Sequence, residues 1–593
     1  MTSSAIGRRA LLRGAALAGG SLALARWFPA WAQPVSAGIA PDMPMLSGEE
    51  IAMRIAHQPI TIDGRTSHGI AMNGTIPAPL IRLREGQNVR IAVTNALDED
   101  SSIHWHGLLV PADMDGVPGI SFPGIRPGET FVYEFPVVQS GTYWFHSHSG
   151  LQEQLGHYGP MIIDPAGEDP VRYDREHVIV LSDYSTMHPH LVFRRLKQQG
   201  GYFNYQRQTV AGLLDGRDQS LGERLAWGRM RMDPTDIADV TGSTYSFLVN
   251  GHGPEDNWTG LFRAGERVRL RFINAAAMTI FNVRIPGLRM TVVQADGLNV
   301  RPVPVEELQI TVAETYDVIV EPEDRAYTLV AEASDRSGMG RATLAPRAGM
   351  TAPVPALRER PLATMRDMGM GDMDHGDGDH GQAGDGVDHS AMGHGVPSVQ
   401  GAGSGGEMSH SMRDFSNAPG VARTPTVQSI APMPVDRTGE PGQGLDGVEH
   451  RVLTYRDLMA LDRNPDIRAP SRSLQLHLTG NMERYMWAFD GVKFSDFPDP
   501  IPFRQDERVR ITLVNDTMMA HPIHLHGHFF ELVTGHAEFA PRKHTVNVAP
   551  GGSVTFDVTT DAVGDWAFHC HLLYHMHAGM MQVITVRPEG DAR

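Results

Sequence analysis

Cysteine is almost missing from this 593-residue sequence, in which Cys570 stands alone. That excludes an intramolecular disulfide and leaves one thiol as an intermolecular bridge, an inert buried group or a metal ligand. Positive charge is scarce, with 51 Lys and Arg against 69 Asp and Glu and a formal net charge of -18. Nucleic acid is therefore excluded as the main partner, because phosphate binding needs clustered basic side chains. A convincing membrane span is lacking too: the apolar stretch from Gly14 to Ala25 is too short and too rich in Gly and Ala to cross a bilayer.

That stretch follows Gly7-Arg8-Arg9-Ala10-Leu11-Leu12-Arg13 and precedes Ala30-Trp31-Ala32. Paired arginines, a short apolar region and a small-residue cleavage site describe a twin-arginine export signal over residues 1–32. The expectation is folded passage to the periplasm, with no stable membrane insertion after cleavage. The remaining chain is too long for one hydrophobic core. An apolar fraction of 41% with 20% charged residues is that of a folded globular protein, and 63 Gly and 41 Pro favour turn-rich, all-β architecture.

Repetition is what the sequence has in plenty. Leu83 to Asn95 (LREGQNVRIAVTN) recurs as Phe262 to Asn274 (FRAGERVRLRFIN) and as Phe503 to Asn515 (FRQDERVRITLVN). Each copy is a turn followed by an alternating strand, so three homologous β domains are expected, at 45–165, 175–350 and 445–588. A second phrase occurs only in the outer two. Pro127-Gly128 and Gly141 to His148 are echoed by Pro550-Gly551 and Gly564 to His571 at identical spacing. Between the second and third domains, residues 355–440 form a linker rich in Met, His and Asp from Met365 to Met412; with so few aliphatic residues it is expected to be largely disordered.

Four His-x-His pairs stand at equivalent points of the outer domains: His104/His106, His146/His148, His524/His526 and His569/His571. One such pair is weak evidence, and His188-Pro-His190 reads as an accident. Four in register are not. Residues i and i+2 of a strand share a face, so eight imidazoles can reach one interdomain space, more than a single metal ion can use. The second domain carries Asn282-Val283-Arg284-Ile285 in that region and no ligands.

The same parity turns Cys570 and His521 to the opposite face. With His575 and Met580 they make up the two-histidine, one-cysteine set with a weak axial Met that defines a mononuclear blue-copper centre. His569-Cys570-His571 would then bridge two metal sites covalently, an arrangement suited to moving single electrons toward four-electron reduction of O₂.

The motifs HWHG, HSH, HPIHLHGH and HCHLLYHMHAGM resemble those of multicopper oxidases over nearly all of the mature chain, in particular the periplasmic copper-resistance type. The resemblance implies three cupredoxin-like Greek-key β-barrel or sandwich domains and four copper ions. Carried over position by position, type 1 copper falls to His521, Cys570, His575 and Met580, and type 2 copper to His104 and His524. One type 3 copper falls to His106, His146 and His571, the other to His148, His526 and His569. Asp115 matches the acidic residue that supplies protons during O₂ reduction. Related cuprous oxidases have an acidic residue directly after the type 1 histidine, where this chain has Met576-His577.

The substrate implied is Cu(I), oxidised to Cu(II) in copper resistance, with Met518 and Met519 as candidate thioethers for substrate copper, Met519 slightly the stronger, against a core-filling reading. Two alternatives stand beside it: laccase-like phenol oxidation, which needs an open type 1 edge, and copper sequestration by the Met/His/Asp segment, which could hold additional copper. Expected partners are O₂, Cu(I) or another small reductant and periplasmic copper-handling proteins, for a monomeric enzyme.

Overall fold

The structure, a computed structural model, describes residues 43–370 and 412–590. The expected export signal and residues 371–411 of the Met/His/Asp segment lie outside the described residues. The all-β expectation holds. Strands from Met45 to Asp164 form a five-stranded and a four-stranded sheet, those from Arg175 to Ala345 a six-stranded and a five-stranded sheet, and the described strands that follow a seven-stranded and a five-stranded sheet.

The three repeats fold alike. Strands Asn88–Asn95, Val268–Asn274 and Glu507–Asn515 each run parallel to one neighbour (Glu50–Ile62, Arg175–Tyr184 and Arg472–Asn481) and antiparallel to another (Thr130–Pro136, Thr315–Val320 and Gly552–Thr560). The terminal asparagine has the same task in each. Asn95, Asn274 and Asn515 are fully buried, and each accepts the amide of the residue two positions on. Each also donates to backbone carbonyls: Glu99 and Ile125; Thr279 and Ile310; and Met519, Val548 and Ala549. A short amide side chain thus satisfies the backbone of the loop that leads, in the outer domains, to the first histidine pair.

Three helices of the second domain lie outside the sheets, Pro189–Gln198, Val210–Leu214 and Leu221–Met230. Pro189–Gln198 begins at His188, whose ring accepts the amide of His190, so this pair starts a helix. Leu221–Met230 begins with a capping box between Ser220 and Glu223.

The expectation of disorder over 355–440 needs correcting on both flanks. Arg358 reaches the buried carboxylates of Glu307 at 2.6 Å and Glu332 at 2.5 Å. Arg437 pairs with Asp367 at 2.7 Å, Val435–Asp436 adds a parallel strand beside Gly552 and Ser553, and Ala418, Val421, Val427 and Ile430 form a small core. Low aliphatic content bars a core of the segment's own, but an extended chain can spend its polar groups on neighbouring domains, and these flanks do so.

Candidate metal centres

Strand register brings the histidines together. In the first domain His104–His106 pairs antiparallel with Gly141–His146, placing His104 opposite His146; in the third, His521–Leu525 pairs with Gly564–Cys570, placing His524 opposite His569. The two domains meet ring against ring, with centroids 3.8 Å apart for His106 and His524 and 3.9 Å for His104 and His526. All eight expected imidazoles converge between the outer domains. Strand Phe281–Arg284 holds the corresponding place in the second domain and has no histidine.

The outward nitrogens are committed. The Nδ1 atoms of His104, His146, His524 and His569 donate to the carbonyls of Asp115 (2.8 Å), Ser147 (3.0 Å), His544 (2.7 Å) and Cys570 (3.0 Å). His526 Nδ1 lies 2.9 Å from Asp115 Oδ2, and His146 Nδ1 is also 2.9 Å from Glu153 Oε2. Fixing one ring nitrogen sets the tautomer and aims the other inward.

The inward nitrogens of His104, His146 and His524 are buried with no partner, as are both nitrogens of His106 and His571. His569 Nε2 faces those of His526 and His148 at 3.0 and 3.3 Å. Buried polar atoms are nearly always satisfied, so this concentration of bare acceptors is what metal ligands look like. Burial, reinforced by neighbouring imidazoles, holds His106, His146, His148, His524, His526 and His571 well below the usual histidine range, and His569 at about 4. The rings are neutral and available for coordination. Ligand atoms within 4.8 Å of one another group them as His106/His146/His571, His148/His526/His569, His104/His524/His526 and His106/His524/His544.

The second cluster lies across the strand, as parity requires. Cys570 Sγ is 3.6 Å from His521 Nδ1 and 3.8 Å from His575 Nδ1, and those two nitrogens are 3.2 Å apart. Met580 is buried beside them, its carbonyl accepting the Cys570 amide and its own amide reaching the His575 carbonyl. Trp487 stacks on His575 at 3.9 Å, and Thr517 Oγ1 is 2.8 Å from His521 Nε2. Burial pushes the Cys570 thiol well above its usual range, so a cation is needed to hold the thiolate.

Asp115 is buried within this arrangement, its carboxylate between His104 and His526. Met518 and Met519 are 0% and 2% exposed in the apolar interior of the third domain, which does not fit the expectation that they offer sulfur to incoming substrate. Three functional candidates escaped sequence reasoning. Glu153 holds His146, Asp239 of the second domain holds His575 at 2.7 Å, and His544 adds an imidazole beside His106 and His524. None belongs to a His-x-His pair, and only tertiary contact reveals them.

Sequence models of multicopper oxidases match residues 54–168, 175–350 and 468–590. The copper resistance protein A homolog of Pseudomonas syringae pv. tomato is 48% identical, over 98% of this chain and 99% of that protein. Copper resistance protein A of Escherichia coli is 46% identical over the same shares. Among solved structures, Fet3p, a multicopper oxidase that functions in iron import, superposes with a TM-score of 0.60 at 18% identity, covering 91% of this chain and 90% of that one, a likeness of fold. With all three sheet pairs matched and near-half identity over almost the whole length, this chain belongs to the multicopper oxidase family.

Proposed function

We propose that the protein is a copper oxidase of copper resistance, coupling one-electron oxidation of Cu(I) to Cu(II) to four-electron reduction of O₂ to water. In this reading His521, Cys570 and His575, with Met580 axial, hold a type 1 copper, and His104 and His524 a type 2 copper. His106, His146 and His571 hold one type 3 copper, and His148, His526 and His569 the other. Copper, when bound, supplies the one-electron acceptor at the cysteine site and the O₂ chemistry at the imidazole sites.

The observation that carries the reading is the tripeptide His569-Cys570-His571. Its thiol faces His521 and His575 while its two imidazoles face the interdomain cluster, so bonded backbone joins the two sites. Asp115, buried between His104 and His526, is the carboxylate we assign to proton supply.

The choice of Cu(I) over a phenol follows from the closure of the type 1 edge. His575 is 0% exposed, with Asp239 on its Nε2 and Trp487 on its face. Neither a phenol ring nor a copper ion touches it, so the electron must pass through the covering side chains; a phenol loses the ring-edge contact that laccase-like oxidation needs, whereas Cu(I) needs no such contact. The relatives named copper resistance protein A support the same physiological setting. Export in folded form to the periplasm belongs to this proposal and rests on the Arg8-Arg9 signal pattern; action there as a monomer beside other copper-handling proteins is part of the same reading. Among the described residues no helix is long and apolar enough to cross a membrane.

The test is spectroscopy of the copper-reconstituted protein followed by O₂ uptake with Cu(I) and with a phenol. A blue thiolate-to-copper band that vanishes in Cys570→Ser, with faster uptake on Cu(I), is the expected result. Full copper loading with no blue band would overturn the oxidase reading in favour of copper storage.

A further inference from the structure

We infer that Asp296, at a hairpin tip of the second domain, is a positioning residue for the copper ligand His524, acting through the peptide that joins His544 to Thr545. The inference rests on the copper reading above and leaves its eight imidazole ligands unchanged.

Strands Met290–Ala295 and Leu298–Val305 are joined by Asp296 and Gly297, whose φ values of +47° and +79° make a tight two-residue turn. Such tips ordinarily stand in water. This one is buried: Asp296 is 0% exposed, and a Cβ on Gly297 would lie 2.3 Å from the Tyr143 ring of the first domain. The Asp296 carboxylate faces the third domain. Its Oδ1 meets Lys543 Nζ at 3.0 Å and accepts the Thr315 amide at 3.1 Å. Its Oδ2 accepts the amides of His544 and Thr545 at 3.2 and 3.1 Å. Burial alone would raise the pKa of Asp296, but the Lys543 charge outweighs burial and holds it below the usual carboxylate range, so the group on those two amides is an anion.

Those amides connect the anion to the metal site. In a trans peptide the C=O of one residue points opposite to the N–H of the next, so a carboxylate fixed on the Thr545 amide aims the His544 carbonyl the other way. That carbonyl accepts Nδ1 of His524 at 2.7 Å and the Leu525 amide at 3.1 Å. Negative charge on the N–H side also polarises the peptide and makes its oxygen a stronger acceptor. The His524 ring is thereby fixed in direction and tautomer, and its Nε2 becomes a more basic ligand. The second domain, which holds no copper of its own, thus sets the geometry of the ion assigned to His104 and His524.

The experiment compares the copper-loaded unaltered chain with Asp296→Asn and Glu314→Gln. Asparagine keeps the shape and an accepting oxygen of Asp296 and removes the charge. Glu314 grips the same lysine at 3.1 Å, but its side chain otherwise bonds Thr311, Tyr316 and Tyr455. In Asp296→Asn the copper hyperfine splitting of the non-blue Cu(II) resonance should shift and a chelator should remove that copper about 10–100-fold faster, with the blue band intact. Glu314→Gln should keep the splitting of the unaltered protein. An unshifted resonance in Asp296→Asn, or an equal shift in Glu314→Gln, overturns the assignment and leaves the Lys543 pairs as a contact between domains. If Asp296→Asn fails to fold, seen as loss of the blue band, pulsed electron resonance of the unaltered protein decides. The uncoordinated nitrogens of His104 and His524 should then differ in quadrupole coupling, the stronger hydrogen bond lowering that of His524, and equal couplings overturn the assignment. Full copper loading of the unaltered protein without a blue band removes the oxidase reading itself, a failure distinct from an unshifted resonance beside an intact blue band.

Discussion

Asp239 of the second domain places Oδ2 2.7 Å from Nε2 of His575 in the third, and Tyr485 donates its hydroxyl to the same oxygen at 2.8 Å. A domain with no metal ligands of its own thereby closes the cysteine site. Its carboxylate orients the His575 ring, whose Nδ1 faces Cys570, and its bulk keeps organic molecules off the ring edge. The second copy of the repeat has lost the histidines and kept a part in the chemistry.

Replacing Asp239 by Ala would leave the His575 N–H and the Tyr485 hydroxyl buried without a partner. The expected cost is about 1–3 kcal/mol in copper-free stability for each group so stranded. Cu(I)-driven O₂ uptake should fall on the order of 10–100-fold, with Asp239→Asn losing less because the amide still accepts. Thermal unfolding and oxygen-electrode traces measure the two effects; equal uptake by all three proteins would rule out a part for Asp239 in orienting His575.

Much of this arrangement was legible in residue order because strand parity is a local rule. His569, Cys570 and His571 must alternate faces whatever surrounds them, and the repeat ending in Asn95, Asn274 and Asn515 marks equivalent strands without any knowledge of packing. Contacts that cross between domains left no such trace. His544 stands beside the cluster only because Thr545 pairs with His524, and Asp239 meets His575 across a domain boundary. The flanks of the Met/His/Asp segment misled for a related reason: composition reports whether a segment can build its own core, and Arg358 and Arg437 are ordered by the carboxylates of other segments.

Glu176 makes the junction of the first two domains acid-sensitive. It pairs with Arg82 of the first domain and, at 2.8 Å, with Arg271 of the second. Burial alone would raise its pKa, but the Arg271 and Arg82 charges outweigh burial and hold it at about 2. A carboxylate depressed in this way stabilises the fold fully above its unfolded value near 4.5, and that stability is lost as pH falls through about 2. Glu176→Gln should therefore be less stable by roughly 2–3 kcal/mol at pH 7. The gap should close between pH 4.5 and 2, as urea unfolding at stepped pH would show; a gap independent of pH would mean that the ion pairs contribute nothing.

Asp115→Asn keeps the size of a carboxyl group that touches His526 and lies beside His104 while removing its ability to carry a proton. Copper content and the blue band should be unchanged, and O₂ reduction should slow by about 10²-fold, the usual scale for loss of a positioned proton donor. Reduction of the blue band by Cu(I) under anaerobic conditions should proceed at the unaltered rate, separating oxidation of substrate from reduction of O₂. Slowing of both half-reactions together would assign Asp115 to holding the histidines and not to proton supply.

Two nearby glycines separate conformational strain from steric exclusion. Gly116 and Gly119 have φ of +84° and +79°, so alanine at either meets the same left-handed penalty of roughly 1–2 kcal/mol. At Gly119 the new methyl would find nothing within 4 Å. At Gly116 it would lie 1.8 Å from the Ile103 carbonyl oxygen, part of the backbone that leads into His104 and cannot move without carrying that ligand away. Gly119→Ala should accordingly lower the melting temperature slightly and retain all its copper. Gly116→Ala should be destabilised by well over about 3 kcal/mol and, where it folds, should lose the copper bound through His104 first, because the backbone shift acts on that strand before any other. Equal behaviour of the two variants would mean that the loop carrying Asp115 yields more readily than its packing against Ile103 implies.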